Sequence, residues 1–163
     1  MSPMRVEYIR WIQDAHAMEG FMLCMLGEQA GNLDHSPQLR ARLEMHIGET
    51  REHARQLCTI LDRLGQSPAA QCGTCEPMTT TIRRIAAVAD LDGPVRASFT
   101  AFALKHVEIA SYQVLIVTAD KIGDGESKGI LKTILSQEMA MADWLADHQQ
   151  GRQPRAANNR PVA

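Results

Sequence analysis

Four glutamates stand out by their neighbours: Glu19, Glu49, Glu108 and Glu138. Glu19 has Ile12, Ala15, Met22, Leu23 and Leu26 one or two helical turns away, and Glu138 has Leu131, Ile134, Leu135, Met141, Ala142 and Leu145. Residues three or four apart share a helix face, so both carboxylates fall on apolar stripes. A carboxylate there is expensive to bury unless something positive meets it. Glu108 keeps Leu104, Tyr112 and Leu115 nearby, with Lys105 and Ser111 alongside. Glu49 belongs to "HIGETREH", where His46, Glu52 and His53 follow the same side of a helix. Taken alone, that stretch reads as a solvated charged face, as most such runs are.

Depth along the helices argues otherwise. Glu19 precedes Gly31 by 12 residues and Glu49 follows Pro37 by 12, while Glu108 precedes Gly123 by 15 and Glu138 follows Gly125 by 13. At a rise of about 1.5 Å per residue, each hairpin sets its two glutamates at nearly equal height. Four buried carboxylates at one level repel one another, and two divalent cations would neutralise them. Oxygen donors with some imidazole suit iron or manganese, and dimetal bundles take a lone Glu from two helices and Glu-x-x-His from the other two. The expected ligands are therefore Glu19, Glu49, Glu108 and Glu138 around two iron or manganese ions. Glu52, three residues after Glu49, and His53, four after, compete for one further place. His16, His46 and His106 are read as supporting groups, and Tyr112 and the Met18, Met22, Met25 series as core filling.

The elements that must carry these residues follow from apolar spacing. Tyr8, Ile12, Ala15, Met18, Met22, Met25 and Leu26 mark a first long helix that stops near Gly31. Ser36 caps and Pro37 opens a second, which Leu39, Leu43, Ile47, Leu57, Ile60 and Leu61 carry to Gly65. After a loop over 66–76, Pro77 begins a short helix to about Ala89. Asp92 caps a third long helix through Phe99, Leu104, Tyr112 and Leu115; "GDGES" turns the chain; a fourth runs from about Lys128 to His148. The expected organisation is one domain over residues 1–149 and a disordered tail over 150–163, which has almost no apolar content. Short loops make antiparallel neighbours, and a long middle crossover is ferritin-like connectivity. The reading is all-α: a ferritin-like four-helix bundle with an additional short helix in the crossover between helices 2 and 3. A bundle with no cofactor has the same outline.

Composition excludes other classes. Hydrophobic residues make up 45% of the 163 but aromatics only 4%, with 9 Met, which favours helix over sheet. A formal charge of −2 leaves no basic excess for nucleic acid. No apolar run approaches the roughly 20 residues that span a bilayer, and "MSPMRVEYIRWIQDAH" lacks the pattern of a secretory signal, so the expected location is the cytoplasm. "CGTC", with Cys72 and Cys75, has no second pair for zinc and no βαβ pattern around it. Its residues read as loop thiols, or alternatively as a redox-responsive pair.

Five segments in order resemble one family, the YciE/YciF-type ferritin-like stress proteins: "DAHAMEG", "HIGET", "QCGTCEPM", "HVEIASY" and "QEMAMAD". The resemblance covers about residues 8–147. It implies a ferritin-like bundle, a homodimer and a dinuclear metal centre. On that footing the chemistry expected is ferroxidase or peroxide-consuming oxidoreduction, with O2 or peroxide as reactant, in oxidative-stress defence. The alternative is a non-catalytic helical stress protein, dimeric, whose carboxylates pair with Arg or Lys and whose Cys72/Cys75 pair responds to oxidation. Four positions depart from the family pattern. Gly48 replaces a Glu, Lys105 stands where many relatives have Glu, Gln137 replaces an acid, and Met141 occupies the place of the His expected three residues after Glu138. The first half is thus richer in ligands than the second, which allows an asymmetric or half-occupied centre.

Overall fold

A computed structural model describes residues 2–31, 37–68 and 93–150, with Thr80, Arg84 and Ala87 between them. Four long helices account for the regular structure among the described residues: α1 (Pro3–Gly31), α2 (Pro37–Arg63), α3 (Gly93–Lys121) and α4 (Gly125–Gln150). Thr80, Arg84 and Ala87 are helical. The rest of the short helix expected from Pro77, the caps Ser36 and Asp92, the Cys72/Cys75 pair and residues 151–163 of the tail fall outside the described residues.

Local chemistry sets the helix ends. Ser2 accepts the Arg5 N–H on its hydroxyl at 3.3 Å, and Pro3 supplies the first turn of α1. Gly65 (φ 69°) and Gly123 (φ 75°) both adopt the left-handed conformation that ends a helix. In each case the following residue donates back into the last turn, Gln66 N to Leu61 O at 2.9 Å and Asp124 N to Ala119 O at 2.8 Å. Asp124 then opens α4 by accepting the Ser127 N–H on Oδ1 at 3.2 Å. The helix therefore starts at Gly125, three residues before the Lys128 start read from apolar spacing, because the cap and not the first apolar residue sets the boundary.

α1 packs on α2 and α3 on α4 as hairpins, with further contacts from α1 to α3 and from α2 to α4. The apolar clusters give the directions. Tyr8 and Ile12 from the start of α1 meet Leu57 and Ile60 from the end of α2, Leu115 and Ala119 from the end of α3, and Leu131 and Ile134 from the start of α4. At the other end Leu26 and Ala30 meet Leu39, Leu43, Ala101, Met141 and Leu145. α1 and α4 thus run one way and α2 and α3 the other. The two clusters are separated by a polar layer of Glu19, His46, His53, Lys105, Glu108 and Glu138, all at most 1% exposed. No described helix is long and apolar enough to cross a membrane.

Candidate metal centre

Each helix contributes to the layer from the middle of its length. α1 supplies Glu19 and α4 supplies Glu138, both fully buried. α2 supplies His46 and His53, seven residues and two turns apart, so both rings point inward. α3 supplies Lys105 and Glu108, which also share a face.

Two cages result, joined by Glu138. In the first, Glu138 Oε1 lies 3.1 Å from His53 Nδ1, which lies 3.6 Å from Glu19 Oε2. One ligand atom from each of Glu19, His53 and Glu138 falls within 4.8 Å of the other two. Glu19 Oε2, His53 Nδ1 and Glu138 Oε1 are buried with no hydrogen-bond partner, the 3.1 Å approach being too poorly aligned to serve as one. The remaining atoms of these side chains are committed. His53 Nε2 meets Gln137 Oε1 at 2.7 Å, which directs Nδ1 into the cage, and Tyr112 donates its hydroxyl proton to Glu19 Oε1. Three convergent orphaned atoms, two carboxylate oxygens and an imidazole nitrogen, are a donor set that fits a divalent cation such as iron or manganese.

The second cage holds the side chain of Lys105. Its ammonium lies 2.6 Å from Glu138 Oε2 and 2.8 Å from His46 Nε2 as hydrogen bonds, and 2.5 Å from Glu108 Oε2 as an ion pair. An ammonium has three donors and no acceptor, so His46 Nε2 accepts. The ring proton then sits on Nδ1 and is donated to Glu49 Oε2 at 2.6 Å.

The electrostatics follow this geometry. Burial opposes charge on Lys105, yet Glu108, Glu138 and Glu19 around it raise its pKa further above the ordinary lysine value. Burial likewise opposes charge on His53, but its contacts with Glu138 and Glu19 raise it from 6.5 to about 10. Glu138, although buried, is held well below the usual carboxylate range by Lys105 and His53. Burial raises Glu108, so of the two carboxylates sharing the ammonium Glu138 is the one held ionised. Burial and the adjoining Glu19 carboxylate keep the Tyr112 phenol protonated.

The residues expected from sequence thus separate. Glu19, His53 and Glu138 converge in one cage. Glu108 is in the layer but faces Lys105. Glu49 stands behind His46, 24% exposed, with Arg42 at 3.4 Å. Glu52 lies on the outside of α2, paired with Arg55 and lining an open surface groove of about 510 Å³ with Thr59 and Ile130. Sequence reasoning gave His46 and Lys105 no direct part in the cages. His46 was discoverable from its seven-residue spacing to His53. Lys105 was visible only as a departure from the family pattern. Gln137 was counted as a lost acid, whereas here it orients His53.

Comparison with known proteins agrees with the bundle. A family model described as a domain of unknown function, DUF892, matches residues 4–158. A protein from Xanthomonas campestris pv. campestris is 30% identical over 91% of this chain and 92% of its own, with a TM-score of 0.77. The E. coli stress protein YciF superimposes with a TM-score of 0.79 at 18% identity, covering 94% of this chain and all (100%) of that one. A ferritin-like, diiron-carboxylate protein from Bacillus anthracis does so with a TM-score of 0.74 at 17% identity, over 91% and 99% of the two chains. The last two likenesses establish the ferritin-like fold and nothing finer.

Proposed function

This chain belongs to the DUF892 family, of the YciF type, and we propose that it is a metal-dependent ferritin-like protein that binds iron or manganese through Glu19, His53 and Glu138 and uses it on O2 or peroxide in oxidative-stress defence. The observation that carries the reading is the set of three partnerless buried atoms, Glu19 Oε2, His53 Nδ1 and Glu138 Oε1, aimed at one another. Leaving such groups unpaired costs about 1–3 kcal/mol each and more when charged. A cation they can all face would remove that cost. The diiron-carboxylate description of the Bacillus anthracis neighbour supports the same choice of metal.

A bound iron or manganese ion would supply electrons to the oxidant. The chain's own groups do the rest. Glu138 and Glu19 provide anionic oxygens in a layer that the apolar clusters on both sides keep dry. Gln137 fixes the His53 ring so that Nδ1 faces the carboxylates. Tyr112 holds Glu19 in place through its hydroxyl, and its proton stays on the phenol. The reading keeps the expectations of a homodimer and a cytoplasmic location.

A second reading draws on Lys105: a non-catalytic helical stress protein whose carboxylates pair with basic groups. The ammonium accounts for Glu108 and one oxygen of Glu138. For the other cage it relies on a protonated His53, 3.1 Å from Glu138 Oε1 and 3.6 Å from Glu19 Oε2 without an aligned hydrogen bond to either. Anaerobic reconstitution with ferrous ion, followed by metal analysis and a peroxide-consumption assay, separates the two. Metal bound by the wild type and lost in Glu19→Ala and His53→Ala supports the first reading. No binding above background by the folded wild type defeats it and leaves the second.

A further inference from the structure

We infer that the Lys105 ammonium is a permanent, built-in second cation of this centre, so that each chain takes up one divalent ion instead of two. The inference rests on the metal reading above and specifies its stoichiometry.

The two cages are matched in kind. One presents Glu19 Oε2, Glu138 Oε1 and His53 Nδ1; the other presents Glu108 Oε2, Glu138 Oε2 and His46 Nε2. Each consists of two carboxylate oxygens and one imidazole nitrogen, and Glu138 gives one oxygen to each. In the second cage all three atoms lie within 2.8 Å of the Lys105 nitrogen. The ammonium therefore takes the lone pairs that a second metal ion would need.

The lysine is also not free to leave. Its side chain is fully buried, and it springs from the middle of α3, where Ala101 and Leu104 on the same helix are buried in the core. Extracting it would strip a charged group of three partners at 2.5–2.8 Å and leave those partners unpaired. An exchangeable ion has no such tether.

Charge points the same way. The layer's three carboxylates, Glu19, Glu108 and Glu138, can carry at most three negative charges; the ammonium offsets one and a single divalent ion covers the other two. A second divalent ion would leave a large positive excess in a layer enclosed by apolar side chains, which is strongly disfavoured.

The test uses the full chain, stripped with chelator and loaded anaerobically with Mn(II), which resists air oxidation better than ferrous ion. Metal content per chain is measured together with the electron paramagnetic resonance spectrum at saturation. The expected result is one Mn(II) per chain with the six-line spectrum of an isolated ion. Lys105→Ala, which keeps every ligand of both cages, is expected to raise the content to two and replace that spectrum with that of a coupled pair. Two Mn(II) per wild-type chain, or a coupled spectrum from it, overturns the inference and leaves the metal reading standing. A folded Lys105→Ala that still binds one ion also overturns it. If that variant does not fold, the wild-type count and spectrum decide alone. Absence of Mn(II), and of Fe(II) in a parallel anaerobic loading, from folded wild type and variant alike defeats the metal reading and this inference with it.

Discussion

Replacing Lys105 by Met keeps most of the side chain's length and apolar volume but deletes its charge. In the metal-free protein this leaves Glu138, Glu108 and His46 facing a site with no donor. Removing one partner from a buried ion pair typically costs about 3–5 kcal/mol, because the charge left behind is uncompensated. The upper half of that range applies here, since Lys105 is fully buried and has three polar partners. For a domain of this size, 1 kcal/mol corresponds to about 2–4 °C in Tm, so the midpoint should fall by roughly 8–20 °C. The assay is urea and thermal unfolding of chelator-treated wild type and Lys105→Met, followed by circular dichroism. A second comparison isolates the cause. If the penalty comes from orphaned carboxylates, adding Glu108→Gln to Lys105→Met restores part of the loss, with a coupling of about 0.5–3 kcal/mol between the two positions. A loss below about 1 kcal/mol, the value of an exposed pair, would show that the ammonium is not what stabilises the layer. Strict additivity of the two substitutions would refute the assignment of Glu108 as its partner.

Other positions give sharp expectations. Gln137→Ala removes the acceptor that orients His53 and should weaken Mn(II) binding by about 10- to 100-fold, measured by titration, with little change in far-ultraviolet dichroism. Glu52→Gln should leave that affinity unchanged and stability within about 0.5 kcal/mol, because Glu52 pairs with Arg55 outside the layer. Asp124 is held below its ordinary value of 3.8, against the effect of burial, by Ser127 and Arg63. Its stabilising contribution is therefore present above pH 3.8 and lost as pH falls through the depressed folded value. Asp124→Ala should cost about 1–2 kcal/mol at pH 7 through loss of the cap, and in unfolding curves that difference should shrink below pH 3.8.

The fold was legible because its signals are local. Apolar spacing places four helices, and Gly65 and Gly123 mark turns that positive φ confirms. Position along the helix axis was legible as well, since residue counts convert directly to height; that is how Glu19, Glu108 and Glu138 were brought to one layer. Orientation around the axis was legible only where apolar neighbours frame it. Glu19 and Glu138 have such a frame. Glu49 sits among charged residues, and the inward face of α2 proves to be His46, Thr50, His53 and Leu57. Glu49 lies to one side of that line and meets it through His46. The same frame separates Glu52 from His53 in orientation: His53 lies one turn from Thr50 and Leu57 on that face, while Glu52 points outward.

Lys105 was misread for a different reason. A lysine among apolar residues ordinarily argues that the face is exposed. The physics runs the other way once the other helices are present. Three acceptors from α2, α3 and α4 surround a point that no single helix defines, and the lysine stem is long enough to bring its charge there. A cation tethered to the backbone differs in kind from one that binds. It neutralises part of the carboxylate layer as the chain folds, at any metal concentration. A bundle with four buried carboxylates and no internal cation depends on captured metal to balance them. With Lys105 in place, folding of the layer does not have to wait for a captured ion, and under the one-ion proposal the divalent ion would enter and leave a bundle already formed.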